Sequence, residues 1–231
     1  MPLQAVLLDV GNTLLYEQPP RHAIYAAAAR ARDLDVEDAR MLTLMREAHH
    51  ALPVRVQGAY RYTDPWFERF IERIFVESLG LPREALAALT AELFDRFESA
   101  DTFRFFDGAP QFLEAVRERG LTLGVVSNWS ERLPLVLAAM GIAEAFDFVV
   151  CSALEGCEKP DPEIFLTALR HAGCRAEEAV HCGDHPLKDG MAVQVGMRAV
   201  LVDHFGSHPK SDLPRVGDFE GLQAWIDERC A

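Results

Sequence analysis

The chain has 231 residues, 49% of them hydrophobic, and a formal net charge of −13. That length supports one substantial core, or a core with a small satellite domain, and no apolar run reaches the roughly 20 residues that cross a bilayer. The charge argues against nucleic acid and anionic membrane as partners; the absence of a signal-peptide pattern after Met1, together with five cysteines lacking zinc-type spacing, gives a cytoplasmic protein with free thiols as the expectation.

In chain order, the first element is a strand over Leu3 to Asp9, ending in a carboxylate and a small-residue turn, Val10-Gly11-Asn12-Thr13. A long insertion follows, from about Tyr16 to Phe105. Its segments Ala23 to Ala31, Val36 to Ala51, Asp64 to Leu79 and Pro82 to Ser99 carry helical patterns, and none reads as a convincing strand. Pro19-Pro20 and Phe106-Asp107-Gly108 punctuate its ends. Within it, Ala48 to Thr63 has no acidic residue but holds His49, His50, Arg55 and Arg61, and reads either as a loop facing a substrate site or as an ordinary loop between helices.

Beyond the insertion, strands over Leu121 to Ser127, Phe146 to Cys151, Ala179 to Cys182 and Ala199 to Asp203 alternate with helices. The helix from Gln111 stops at Gly120, the one from Leu133 stops at Gly141, and another begins at Pro162. This βα alternation is the pattern of a parallel sheet. The expected organisation is an α/β core of residues 1–16 and 105–231 with an all-helical domain, 17–104, inserted between.

Four chemical groups sit at strand ends or helix starts. They are Asp9 with Thr13, Ser127-Asn128, Lys159 in Glu158-Lys159-Pro160-Asp161-Pro162, and Asp184 with Asp189 after Gly183. Each alone reads first as a cap, turn or helix-start residue; together, they fit phosphoryl transfer. In an open α/β sheet, ligands bind outside the carboxyl ends of the strands. Asp9 is a nucleophile for phosphorus. Asp9, Asp184 and a backbone carbonyl supply oxygen ligands for Mg²⁺. Thr13, Ser127 and Asn128 bind phosphate oxygens, Lys159 provides a point charge, and Asp189 orients these groups from behind. A small anionic substrate needs such local cations against the overall charge; the lysines are Lys159, Lys188 and Lys210. His204 and His208 read as a solvated loop, and Trp129 either walls the site or packs under the insertion.

The motifs DVGNTL (Asp9 to Leu14), VVSNWS (Val125 to Ser130), EKPDPEIF (Glu158 to Phe165) and GDHPLKD (Gly183 to Asp189) resemble those of the haloacid dehalogenase superfamily of aspartate-nucleophile hydrolases, in the branch with a helical cap after the first strand. The resemblance spans the whole chain. It implies a Rossmann-like parallel sheet of order 3-2-1-4-5, an aspartyl-phosphate intermediate, and metal ligation by Asp9, the Gly11 carbonyl and Asp184.

One position departs from the family's phosphatases. Two residues after the nucleophile they carry an Asp that protonates the leaving group and then activates water; here it is Gly11. Tyr16, Glu17, His22, His49 and His50 are candidate substitutes. Two alternatives to a phosphatase stay open. One is a 2-haloacid dehalogenase using the same Asp9; the other is a catalytically weak binding or regulatory protein. Phosphonate cleavage through a cap lysine is disfavoured, because residues 16–105 contain no lysine.

Overall fold

The computed structural model describes residues 1–230. Its strands are β1 (Ala5–Leu8), β2 (Leu15–Glu17), β3 (Arg55–Val56), β4 (Ala59–Tyr60), β5 (Phe103–Phe105), β6 (Thr122–Ser127), β7 (Phe148–Cys151), β8 (Ala179–Gly183), β9 (Arg198–Val202) and β10 (Arg215–Val216). The α-helices are α1 (Arg21–Arg30), α2 (Asp38–Ala51), α3 (Asp64–Glu72), α4 (Leu86–Glu98), α5 (Ala109–Glu118), α6 (Leu133–Ala139), α7 (Ser152–Glu155), α8 (Pro162–Ala172) and α9 (Phe219–Cys230).

The main sheet has the order β10-β9-β8-β1-β6-β7, with every pair parallel. Without the edge strand β10, this is the expected 3-2-1-4-5 arrangement. All four residues of β1 are buried, as a strand covered on both faces requires. The period of two sorts them: Val6 and Leu8 face a core with Phe112, Leu113, Val136 and Leu222, while Ala5 and Leu7 face a second core with Ile164, Phe165 and Ala168. Helices α5, α6 and α9 therefore cover one face and α8 the other.

The insertion has its own core, in which Tyr25, Met41, Trp66, Phe70, Phe75 and Leu89 meet. Helices α1 to α4 match the expected helical segments, with α3 running on into a π-helical stretch, Arg73–Ser78. The expectation of an all-helical insertion is corrected in its middle and at its ends, where Glu17, Phe103 and Arg104 belong to β2 and β5. The acid-free stretch contains a hairpin, β3–β4, paired Arg55↔Tyr60 and Val56↔Ala59. Its turn residues Gln57 and Gly58 have φ of 51° and 84°, the geometry of a type I′ hairpin turn.

The chain enters and leaves the insertion through a separate antiparallel ribbon of β2 and β5, in register Leu15↔Phe105 and Glu17↔Phe103. This ribbon straddles the expected boundaries. Ion pairs and a hydrogen bond tie the insertion to loops at the edge of the sheet domain. Arg132 Nε donates to Asp64 Oδ1 at 2.8 Å, the Asp64 amide donates to Glu131 at 3.0 Å, and Arg61 pairs with Glu158 at 2.7 Å.

Candidate functional site

Sheet register builds the site. Leu8 pairs with Val125 on one side and Cys182 on the other, so the ends of β6 and β8 flank the residue that follows β1. That residue is Asp9, and its amide donates to the Cys182 carbonyl at 2.9 Å. Ser127 closes β6, and its Oγ donates to Asp9 Oδ1 at 2.7 Å. Lys159, 2% exposed, lies with Nζ 2.9 Å from Asp9 Oδ1 and 2.5 Å from Asp189 Oδ1. Asp184 follows β8 directly, and oxygens of Asp9, Asp184 and Asp189 lie within 4.8 Å of one another.

Asp189 is buried and fully engaged. Its Oδ1 accepts from Lys159 and lies 2.8 Å from His181 Nε2, and its Oδ2 accepts from the His185 amide at 3.0 Å. This close packing requires Gly183: a Cβ there would lie 2.2 Å from Asp189 Cγ. Desolvation raises the Asp189 carboxyl, but Lys159 and His181 outweigh it and hold the group below the usual carboxylate range. The Lys159 ammonium is held up by Asp189 and Asp9 against the opposing effect of burial.

Asp184 has no such partner. Burial, then the charges of Asp9 and Asp189, push its carboxyl up to about 7. Two of the three clustered carboxylates share Lys159 and Asp184 is left without a paired cation, an arrangement that accepts a hard cation through oxygen. The donor set thus fits a divalent metal held between Asp9 and Asp184. A raised folded-state pKa means a penalty that grows as pH rises from about 4 to about 7. The metal-free Asp184→Asn variant should therefore be more stable than the parent at pH 8, by about 2 kcal/mol after allowance for the water that reaches this side chain, and no more stable at pH 4. Urea unfolding in the presence of a chelator at both pH values measures this. Equal stability of the two proteins at pH 8 would contradict the strain at Asp184.

The remaining residues singled out in the sequence occupy different places. The Asn128 amide spans the Lys159 backbone, donating to its carbonyl at 2.9 Å and accepting from its N–H at 2.8 Å. Asn128 thereby locks the segment carrying Lys159, a role the strand-end position did not disclose. Thr13 is fully buried and does not line the cavity; its Oγ1 has no hydrogen-bond partner. His204 is not part of a solvated loop: its Nε2 lies 2.9 Å from the Thr13 carbonyl and its ring stacks on Phe106 at 3.8 Å.

Above the carboxylates is a cavity of about 480 Å³, bounded below by Asp9, Gly11, Ser127, Asn128, Lys159 and Asp184. Trp129 does wall it, and it covers Gly11: a Cβ on Gly11 would lie 3.2 Å from Trp129 Cζ3. Of the candidate substitutes for the missing acid, Tyr16, Glu17 and His49 line this cavity. Glu17 is tied to Arg21, with Nε to Oε1 at 2.8 Å, and His49 Nε2 lies 3.1 Å from the Tyr62 hydroxyl. His22 lies outside the cavity, and His50 borders a neighbouring groove. Tyr62 holds φ of 72°, strain at a non-glycine residue facing a site.

Sequence reasoning did not foresee Arg21, Tyr25, Phe67, Phe94, Phe97, His185 and Lys188 at the cavity. The spacing of Arg21 with Tyr25 and of Phe94 with Phe97 was the available signal, but i,i+4 and i,i+3 pairs read the same on a packed face and on a cavity wall.

A parallel sheet with two aspartates at adjoining strand ends and a buried lysine reaching them from the loop before α8 defines a class of hydrolases, and the comparisons agree. The chain belongs to the haloacid dehalogenase-like hydrolases, whose family model matches residues 3–196. It is 34% identical over 215 residues to haloacid dehalogenase-like hydrolase domain-containing protein 3 of Mus musculus, covering 90% of this chain and 84% of that protein. It is 33% identical to the phosphoserine phosphatase of Thermus thermophilus, covering 94% of this chain and 96% of that one. The crystal structure of a 2-haloacid dehalogenase from Pseudomonas syringae matches with a TM-score of 0.72 at 26% identity, over 99% of this chain and 100% of that one. The protein is a hydrolase of a family whose members include phosphatases. No helix among the described residues is long and apolar enough to cross a membrane.

Proposed function

We propose that the protein is a Mg²⁺-dependent phosphatase acting on a small phosphorylated metabolite through an aspartyl phosphate on Asp9. The observation that carries this reading is the cluster of Asp9, Asp184 and Asp189 around one buried lysine. Displacement of halide by a single carboxylate has no use for Asp184, a second carboxylate pushed up to about 7 by its surroundings. The phosphoserine phosphatase relative supports the same choice.

In this reading, Asp9 attacks phosphorus, the bond to the ester oxygen breaks, and the leaving oxygen departs as an anion that takes its proton from water. Water then attacks the phosphoryl group, releasing phosphate and restoring the Asp9 carboxylate. Asp9, Asp184 and the Gly11 carbonyl would hold the metal, which would supply positive charge against the phosphoryl oxygens. Lys159 adds a second positive charge beside the nucleophile. Ser127 aims Asp9, and Asn128 and Asp189 keep Lys159 in place. Residues 1–16 and 105–231 form the hydrolase core, and 17–104 form its cap. The free cysteines support a cytoplasmic setting.

The leaving group sets the rate, because Gly11 transfers no proton. Loss of general acid–base assistance is worth about 10²–10⁴-fold, so turnover by the parent should rise steeply as the leaving-group pKa falls. Trp129 occupies the approach to position 11, so Gly11→Asp alone should help little. Gly11→Asp combined with Trp129→Phe should speed hydrolysis of alkyl phosphates and flatten the dependence. Initial rates over a graded series of phosphate esters with Mg²⁺ test this. A flat series for the parent means that the proton already comes from another group.

A further inference from the structure

The cavity's walls differ from its floor. Resting on the phosphatase reading above, we infer that the leaving group of the natural substrate is aromatic: a phenol or an arylalkyl alcohol rather than a sugar, a polyol or an amino acid.

The upper part of the cavity is lined by Tyr25, Phe67, Phe94, Phe97, Phe103 and Trp129. Four polar groups beside them, Arg21, Arg132, His49 and Tyr62, are already paired, while Tyr16, Tyr25 and Lys188 add polar atoms to the lining. Arg21 is bound to Glu17, and its guanidinium lies over the Phe97 ring at 4.9 Å. Arg132 forks onto Asp64 and lies over Phe94 at 4.3 Å. His49 and the Tyr62 hydroxyl are within hydrogen-bond reach of each other, and their rings stack at 5.9 Å. A phosphorylated amino acid or sugar brings carboxylates, ammonium groups or several hydroxyls to this wall. Against the paired Arg21, Arg132, His49 and Tyr62 each would stay unpaired, or would break a pair that also holds the insertion together. A buried polar group without a partner costs about 1–3 kcal/mol. An aromatic ring meets no such cost, and gains apolar burial and ring–ring contact.

The floor points the same way independently. With glycine at position 11 and Trp129 over it, a leaving oxygen that bears its own negative charge well is favoured. A phenolate does this and an alkoxide does not. The volume of about 480 Å³ accommodates a ring beyond the phosphoryl group. The wall thus selects an aromatic leaving group, and within that class the floor favours a phenol over an arylalkyl alcohol.

The test separates the two selections. Values of kcat/KM with Mg²⁺ are compared for 2-phenylethyl phosphate, ethyl phosphate, glycerol 3-phosphate and phosphoserine. All four have alkyl leaving oxygens, so the comparison reads the wall and not the leaving-group pKa. Phenyl phosphate is added to read the floor. The expected result is a preference for 2-phenylethyl phosphate of at least about tenfold over each of the other three alkyl esters, with phenyl phosphate faster still. Phe67→Leu should shrink the ratio of 2-phenylethyl phosphate to ethyl phosphate, a ratio that is independent of the amount of folded enzyme. If that variant does not fold, the panel on the parent decides. Hydrolysis in which phosphoserine or glycerol 3-phosphate matches 2-phenylethyl phosphate overturns the aromatic assignment and leaves the phosphatase reading intact. Hydrolysis of none of the five esters overturns both.

Discussion

Substituting Asn for Asp9 should lower phosphate ester hydrolysis by at least about a thousandfold, while leaving the fold intact. Asp9 Oδ1 accepts from Ser127 Oγ at 2.7 Å and lies 2.9 Å from Lys159 Nζ, and the carbonyl oxygen of Asn can accept from the same two groups. What Asn lacks is a nucleophilic oxygen. The loss should therefore fall on kcat, with thermal unfolding shifted by only a few degrees. Initial rates and a melting curve on the same preparation check both halves. Activity within tenfold of the parent would show that another group attacks phosphorus.

The largest effect on stability is expected at Lys159. Lys159→Met removes the cation from between Asp9 and Asp189 and leaves three carboxylates within 4.8 Å of one another. Breaking a buried pair by deleting one partner costs about 3–5 kcal/mol. The pH dependence of this loss has a definite sign. In the parent, burial acts to raise the Asp189 carboxyl, but Lys159 and His181 prevail and hold it low, so its contribution is present above pH 4 and lost on further acidification. Without Lys159, Asp189 loses the charge that most lowers its carboxyl while burial still acts to raise it, and the penalty grows as pH rises. The variant should therefore be most destabilised at pH 8 and recover part of the difference at pH 5. Adding Asp189→Asn to Lys159→Met should restore stability at pH 8 without restoring activity. Denaturant titrations of the parent and both variants at the two pH values measure this. A single variant as stable as the parent at pH 8 would mean that Lys159 does not balance the carboxylates.

The parts of the molecule that follow from burial were legible in the sequence. Runs such as Ala5-Val6-Leu7-Leu8 and Leu123-Gly124-Val125-Val126 are apolar because both of their faces are covered, and their ends fix where Asp9, Ser127 and Asp184 emerge. The ribbon Leu15–Glu17 with Phe103–Phe105 and the hairpin Arg55–Tyr60 were not legible. Strands of two or three residues are too short to show alternation, and their pairing depends on turn geometry at Gln57-Gly58 or on partners some ninety positions away. At the site, the types of group were readable, but some of their partners were not. Asn128 sits at a strand end as a phosphate ligand would, yet its amide is spent on the backbone of Lys159. Thr13 turns inward, and Trp129 spreads over Gly11. Those outcomes are set by contacts across 31 and 118 positions in the case of Asn128 with Lys159 and of Asp9 with Ser127, and no local pattern encodes them. The aromatic wall was hidden for a related reason: a helix face that lines a cavity has the same period as one that fills a core.

The most direct test of the phosphatase account is the fate of oxygen in one turnover. Excess enzyme with Mg²⁺ is mixed with phenyl phosphate in ¹⁸O-labelled water; one portion is quenched in acid within the turnover and another after it. Mass spectrometry then reads both the released phosphate and the peptide containing Asp9. The account predicts a phosphoryl adduct on Asp9 in the early sample. In the late sample it predicts ¹⁸O in inorganic phosphate and none in Asp9, because water attacks phosphorus. No adduct and no phosphate release, together with ¹⁸O entering the Asp9 carboxylate when a 2-haloacid is supplied instead, would contradict it and assign the protein to dehalogenation.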